Sequence, residues 1–174
     1  MEDIAGRKAL FEASGLKKGR ILDIGMGDCC CMSFFLARRG FQVVGIDRSS
    51  KAVHEARAKA ANMKCSGSFV AKRANANRLT FRGNEFDAVI AYNSFHHMDG
   101  IGKAIREMFR VCKNRGLVII SDLHDNEPGS GELLRKIERL VAGRAMTVRK
   151  VRTKHNLVLI CRNTGALPGR EGHR

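Results

Sequence analysis

Arg20-Ile21-Leu22-Asp23-Ile24-Gly25-Met26-Gly27-Asp28 is the stretch that decides the fold of this chain. It reads as a short apolar strand halted by a glycine turn, with a helix predicted over residues 30–39. Glycine suits such a turn because it tolerates positive φ and, lacking Cβ, lets a ligand approach the backbone. Amides at the start of the following helix favour an electron-rich ligand group. The next apolar run, Phe41-Gln42-Val43-Val44-Gly45-Ile46, ends in Asp47. That acid lies about 20 residues past the glycines, where a nucleotide-binding βαβ unit meets ribose hydroxyls. Strand, glycine turn, helix, strand and acid together predict a bound adenosine-type cofactor.

The glycine spacing narrows the choice. A dinucleotide turn needs glycine at its first, third and sixth positions, and here the sixth is Cys30. A nicotinamide dehydrogenase is therefore disfavoured. Asp23, two residues before the first glycine, is placed to support the turn or to face a cationic ligand group. With Gly25 and Gly27 it resembles the Asp/Glu-x-Gly-x-Gly-x-Gly motif of the class I S-adenosylmethionine-dependent methyltransferases, Cys29 standing at the third glycine. Later segments resemble that superfamily in the same order. Ala74-Asn75-Ala76-Asn77-Arg78-Leu79-Thr80-Phe81 is similar to its Gly-Asp-Ala-x-x-Leu-Pro-Phe segment, and Phe86-Asp87-Ala88-Val89-Ile90-Ala91-Tyr92-Asn93 to its fourth strand. Ser94-Phe95-His96-His97-Met98 resembles the Leu-His-His stretch of small-molecule members, and Asn114-Arg115-Gly116 stands at the usual Pro-Gly-Gly.

The resemblance, nearest to the small methyltransferase type 11 group, implies an α/β Rossmann-like seven-stranded sheet. Its expected order is 3-2-1-4-5-7-6, the last strand antiparallel, with helices on both faces. It implies S-adenosyl-L-methionine as cofactor. The residues expected to hold it are Asp23, Gly25, Met26, Gly27, Asp47, Arg48, Asn75, Ala76 and Asn93. Within that set Asp47 is assigned to the ribose hydroxyls and Arg48 to packing over adenine. The amide oxygen of Asn75, at the position of the family's adenine-contacting Asp, is a hydrogen-bond acceptor for the adenine amino group.

The rest of the chain supports one domain over residues 1–162, followed by a polar Gly/Arg-rich tail over 163–174 expected to be disordered. An amphipathic helix is predicted near residues 4–14 and ends at Gly15. Further helices are expected over 50–61, capped by Ser49 or Ser50, over 101–112 and over 130–142. Five apolar runs alternate with them up to Ser121, the pattern of a parallel sheet covered on both faces. Runs at 146–152 and 156–161 form an expected closing hairpin.

Net charge is +15 over 174 residues, with a sequence pI near 10.2. Its late cluster of Arg144, Arg149, Lys150, Arg152, Lys154 and Arg162 attracts polyanions, so RNA is one possible partner. One Tyr and no Trp leave little for base stacking. Six cysteines include three in a row, which cannot readily pair with one another. No C-x-x-C spacing indicates zinc, and the cysteines read as small, reduced, buried residues. No apolar stretch approaches the ~20 residues of a membrane span. The start of the sequence, with Glu2 and Asp3, has no secretory leader pattern, and a cytoplasmic protein is expected.

Methyl transfer from a sulfonium is an in-line displacement in which positioning supplies much of the rate. An acceptor that must lose a proton needs a base near neutral pKa, a role that suits histidine. His96 and His97, just past the fourth strand, are the catalytic candidates, and His124 after the fifth is a third. Asn93 should lie nearest the reactive methyl, yet Asn93-Ser94-Phe95-His96 lacks the prolines of the signature for amide and exocyclic amino nitrogens. No long insertion offers a substrate lid, so either a second subunit completes the pocket or a large substrate covers it. A small-molecule acceptor is the leading expectation. An RNA or other macromolecular acceptor, or a catalytically idle methyltransferase-like partner subunit, is the alternative.

Overall fold

The computed structural model describes residues 4–123, 130–152 and 156–165. In chain order these form α1 (Ile4–Ser14), β1 (Arg20–Ile24), α2 (Cys31–Ala37), β2 (Gln42–Asp47), α3 (Ser50–Ala61), β3 (Ser68–Arg73) and β4 (Phe86–Tyr92). A 3-10 turn (Phe95–His97) leads to α4 (Ile101–Val111), β5 (Cys112–Leu123), α5 (Ser130–Ala142), β6 (Ala145–Arg152) and β7 (Asn156–Asn163). The seven strands make one sheet in the order β3-β2-β1-β4-β5-β7-β6. Strands β1 to β5 pair in parallel, while β7 runs antiparallel to both β5 and β6. The expected order and the expected closing hairpin are both present.

Strand side chains alternate between faces because successive Cβ atoms point to opposite sides of a pleated strand. Ile21, Val43, Ala88, Ile90 and Ile119 pack on one face with Leu10 of α1 and with Met32 and Leu36 of α2. Leu22, Val44, Val89, Ala91, Val118 and Ile120 pack on the other with Ile105 and Met108 of α4 and Ile137 and Val141 of α5. Covering both faces is what an inner parallel strand requires, and it explains why these strands read as nearly continuous apolar runs. Ser49 caps α3, its side chain accepting the Ala52 N–H at 3.2 Å. Order reversal between β1, which feeds leftward to β2, and β4 opens a crevice at the carboxyl ends of the central strands. Open α/β sheets bind their ligands there.

Three elements differ from the sequence reading by two residues or more at an end. Helix α2 starts one residue later than expected because Cys30 sits in the left-handed region, φ 49°, and it ends at Ala37, with Arg38 as its C-cap, rather than at 39. Strand β5 begins at Cys112, but its register against β4 jumps from Phe86↔Cys112 to Ala88↔Leu117, so residues 113–116 bulge out before the apolar run resumes. Strand β7 extends to Asn163, which the sequence placed in the polar tail. That residue is buried, and its amide nitrogen donates to the carbonyls of Phe109, Cys112 and Lys113 at 2.9, 2.8 and 3.2 Å. The remainder of the expected tail, residues 166–174, lies outside the described residues, as do residues 153–155 and His124.

Candidate functional site

The glycine turn after β1 is held to the end of β2 by backbone hydrogen bonds. Gly25 N–H and Met26 N–H both donate to Ile46 O, at 2.9 and 3.0 Å. Gly25 takes φ +70°, and a Cβ there would lie 2.6 Å from Ser94 Cβ, so the turn passes beneath the loop after β4 with no room for a side chain. Gly27 takes φ +63° with nothing within 4 Å of its missing Cβ. One glycine is therefore required by packing and the other leaves its side open to a ligand. Asp47 links the two loops: its Oδ2 accepts Gly27 N–H at 3.1 Å and its Oδ1 accepts Ser49 N–H at 2.8 Å.

Two cavities flank this turn. The first, about 400 Å³, is lined by Gly25, Gly27, Asp47, Arg48, Asn75, Ala76 and Asn93, with His97 and Met98 on its far wall. Seven of the expected cofactor residues thus meet around one space. The second, about 420 Å³, lies on the α1 side and is lined by Arg7, Asp23, Met26, Cys29, Cys31 and Tyr92. Gly25, Gly27 and Asn93 border both, so the two cavities meet across the turn. Asn93 has φ 49°, a left-handed conformation that asparagine tolerates better than most residues.

Asp23 and Met26 stand apart from the other seven, on the second cavity alone. The Asp23 carboxylate is buried and its Oδ2 accepts the Ser33 hydroxyl at 2.6 Å. Burial pushes its pKa up to about 6, against the hydrogen bonds from Ser33 that favour the anion. The Met26 side chain is buried in a cluster with Val53, Ala56 and Ala71, which leaves mainly its backbone for a ligand. Arg48 and Asp99, both on the lining of the first cavity, pair at 3.5 Å, an exposed contact worth little by itself. Asn75 uses its Oδ1 to accept Asn77 N–H at 2.9 Å, closing an Asx turn.

The two catalytic candidates occupy different places. His97 lines the first cavity. His96 does not; its Nδ1 lies 2.7 Å from Oδ1 of Asp122, a fully buried acid at the end of β5. Sequence reading passed over Asp122, although an acid at the carboxyl end of an inner strand is itself a signal in this kind of sheet. Asp87 lies at the other end of β4, where it accepts Arg20 N–H at 2.8 Å and pairs with Lys113 at 2.7 Å, a strand anchor remote from both cavities. All six cysteines are free. Burial pushes the thiols of Cys30, Cys112 and Cys161 up to about 12 and leaves them unreactive. Among the described residues, no cluster of His, Cys, Asp or Glu is arranged to hold a metal. Among the same residues, no helix is long and apolar enough to cross a membrane.

Known proteins share the sequence pattern and the fold. A sequence profile of the methyltransferase domain matches residues 22–120. The chain is 29% identical over 117 residues to the ubiquinone/menaquinone biosynthesis C-methyltransferase UbiE of Haemophilus ducreyi, covering 66% of this chain and 45% of that protein. It is 33% identical over 113 residues to the ubiquinone biosynthesis O-methyltransferase of Alkalilimnicola ehrlichii, covering 64% and 44%. The match thus spans a little under half the length of these relatives. A crystal structure of an S-adenosylmethionine-dependent methyltransferase from Aquifex aeolicus superposes with a TM-score of 0.72 at 19% identity, over 89% of this chain and 88% of that one. At that identity the likeness speaks for the fold. The family match over more than half of the sequence, on this strand order, makes the chain a member of the methyltransferase-domain family within the class I S-adenosylmethionine-dependent superfamily.

Proposed function

We propose that the protein is an S-adenosylmethionine-dependent methyltransferase acting on a small-molecule acceptor. The observation that carries this reading is the pair of cavities meeting over an unobstructed glycine turn, with Asp47 on one flank and Asp23 on the other. The residues fit the cofactor. The first cavity has the volume for a nucleoside, and two buried polar atoms of residues on its wall, Ser94 Oγ and Asn77 Oδ1, have no protein partner among the described residues. Such atoms mark places where a ligand or water belongs. Asp47 would take the ribose hydroxyls while still bracing Gly27, since each carboxylate oxygen has a second lone pair. Arg48, Asn75 and Ala76 would bound the adenine. Gly25, the Met26 backbone and Gly27 would carry the amino-acid end toward the second cavity, where the anion of Asp23 suits an ammonium group.

When bound, the cofactor supplies an electrophilic methyl on a positively charged sulfur. The chain's own part is to hold Asn93 at the junction of the two cavities and to present His96 and His97 to an acceptor entering past the loop after β4. Relatives named for quinone biosynthesis support a small acceptor. Isothermal titration with S-adenosylmethionine and with S-adenosylhomocysteine tests the reading. One site with clear affinity is expected, and no heat at millimolar ligand overturns it. The net charge of +15 favours a macromolecular acceptor as the second reading. It predicts RNA binding that weakens steeply with salt, and salt-insensitive or absent binding removes it. Cofactor binding without turnover across a metabolite panel would instead favour an idle partner subunit.

A further inference from the structure

The excess positive charge does not gather where the sequence bunches it. Consecutive residues of a strand point to opposite faces, so β6 divides the late run of cations. Arg149 lies opposite Ile160 and Lys150 opposite Leu159, which belong to different core layers. Arg149 reaches the Ala13 carbonyl of α1 at 3.1 Å, while Lys150 pairs with Glu138 of α5 at 2.7 Å. A band of cations forms instead at the amino ends of the parallel strands, from segments far apart in the chain. Arg38 and Arg39 follow α2 just ahead of β2, and Lys17 and Lys18 precede β1. Those two loops touch, Gln42 N–H donating to Gly19 O at 3.1 Å. Beyond β4, Arg115 stands in the bulge of β5, and its carbonyl accepts a hydrogen bond from Arg162 of β7 at 2.9 Å. All six residues are exposed. Among the described residues none of them pairs with an acid, because the neighbouring acids are engaged elsewhere. Glu12 pairs with Lys8, Glu85 with Arg20 and Asp87 with Lys113, at 3.8, 3.0 and 2.7 Å. The band crosses β2, β1, β4, β5 and β7, four strand spacings or about 19 Å. The length of β1, about 16 Å, separates it from the cavities, whose walls carry Asp23, Asp47 and Asp99 against Arg7 and Arg48.

We propose that this band docks the protein on double-stranded RNA through its phosphates, at the end of the sheet opposite the cofactor cavities. Cations without acidic partners attract a polyanion by releasing its counterions. A single strand would need aromatic faces for its bases, and the two rings here, Phe11 and Phe35, are already covered by the Arg39 guanidinium, 5.6 and 3.5 Å from their centroids. The band is built of loop and strand-end residues, whereas reading a DNA major groove takes a helix or a β-ribbon laid within it. Double-stranded RNA hides its major groove and is recognised by backbone and shape, which strand-end cations can satisfy. A membrane surface would call for apolar side chains beside the cations. The exposed large apolar residues, Val70, Met146 and Val148, lie on the edge strands β3 and β6, outside the five strands that carry the band. An RNA held here anchors the protein and stays clear of the methyl donor, so it is not the methyl acceptor.

The test is fluorescence anisotropy of the full chain with a labelled RNA duplex of mixed sequence, about 20 base pairs long, from about 50 to about 200 mM KCl. Affinity should fall with salt at a log–log slope of about −5, as six neutralised phosphates require. The double substitution Lys17→Ala with Lys18→Ala should make that slope shallower by about 2. Lys51→Ala with Lys103→Ala removes the same charge from the first turns of α3 and α4, at the cavity end, and should leave the slope as it is. Saturating S-adenosylhomocysteine should not alter the RNA affinity. Absent binding, a slope near zero, or equal losses in the two double variants overturns the proposal, the last because net charge alone would then be responsible. Duplex DNA of the same length, or phosphatidylglycerol vesicles, binding as tightly as the RNA overturns the choice of partner. Competition between the RNA and S-adenosylhomocysteine puts the RNA in the cavities and overturns the docking site. Calorimetry with S-adenosylhomocysteine alone judges the cofactor reading separately, since no binding there leaves the salt slopes and the variants intact.

Discussion

Asp23→Asn should invert its effect on stability between acid and neutral pH. The Asp23 carboxyl titrates near 6 in the folded protein because burial penalises its anion, compared with 3.8 for an ordinary aspartate. Folding therefore favours the protonated form. Between those two values the native state retains a proton that the unfolded chain has released, so stability falls as pH rises through that window and is level on either side. Two pK units correspond to about 3 kcal/mol of destabilisation at pH 8 relative to pH 3. Asparagine carries no charge to desolvate and its Oδ1 can still accept the Ser33 hydroxyl, but its amide N–H groups go underpaired at a cost of about 1 kcal/mol. The variant should thus be less stable than wild type by about 1 kcal/mol at pH 4 and more stable by about 2 kcal/mol at pH 8. Urea melts at half-unit steps from pH 4 to pH 8, taken as the difference between the two proteins, isolate this residue from every other titrating group. A difference that stays constant across that range would refute the argument that Asp23 is held buried at an energetic penalty. The same variant should bind S-adenosylmethionine more weakly, because the anion facing its ammonium group is gone.

Gly25→Ala should lose at least tenfold in affinity for S-adenosylhomocysteine by calorimetry, because the new Cβ both occupies a left-handed position and lands on Ser94; Ser94→Gly in the same chain should restore part of it. Asn163→Ala should lower stability by about 2 kcal/mol in chemical denaturation, since three carbonyls at the junction of α4 and β5 lose their donor. Arg115→Gly should raise stability by about 1 kcal/mol, because Arg115 holds φ 61° in the bulge before the paired part of β5; no gain in melting temperature would contradict the assigned backbone conformation.

The glycine turn, the acid at 47 and the alternation of apolar runs with helices were readable because each is a local pattern that the backbone obeys wherever the chain goes. Helices Ile4–Ser14, Ser50–Ala61 and Ser130–Ala142 begin and end where periodicity and capping residues place them. The start of α2 was misread because Cys30 carries no local signal for a left-handed conformation. The bulge at 113–116 was hidden because register between two strands is a property of both. Asn163 looked like tail because a polar residue near a Gly-rich segment gives no hint that three carbonyls await it.

Sequence alone determined that this chain winds a parallel sheet and opens it over Gly25 and Gly27 toward Asp47, since steric freedom at glycine and the period of burial act over a few residues. Only the tertiary structure decided which neighbours meet across it. His96 and Asp122 are 26 residues apart and come within 2.7 Å because β4 and β5 run in parallel register. Asp23 and Asp47, both acids beside one turn, end on different cavities because β1 buries the first against α2 while β2 delivers the second to the rim. Side-chain chemistry is written in the chain, but the direction in which a carboxylate points is set by the strand that carries it and the helix packed behind it.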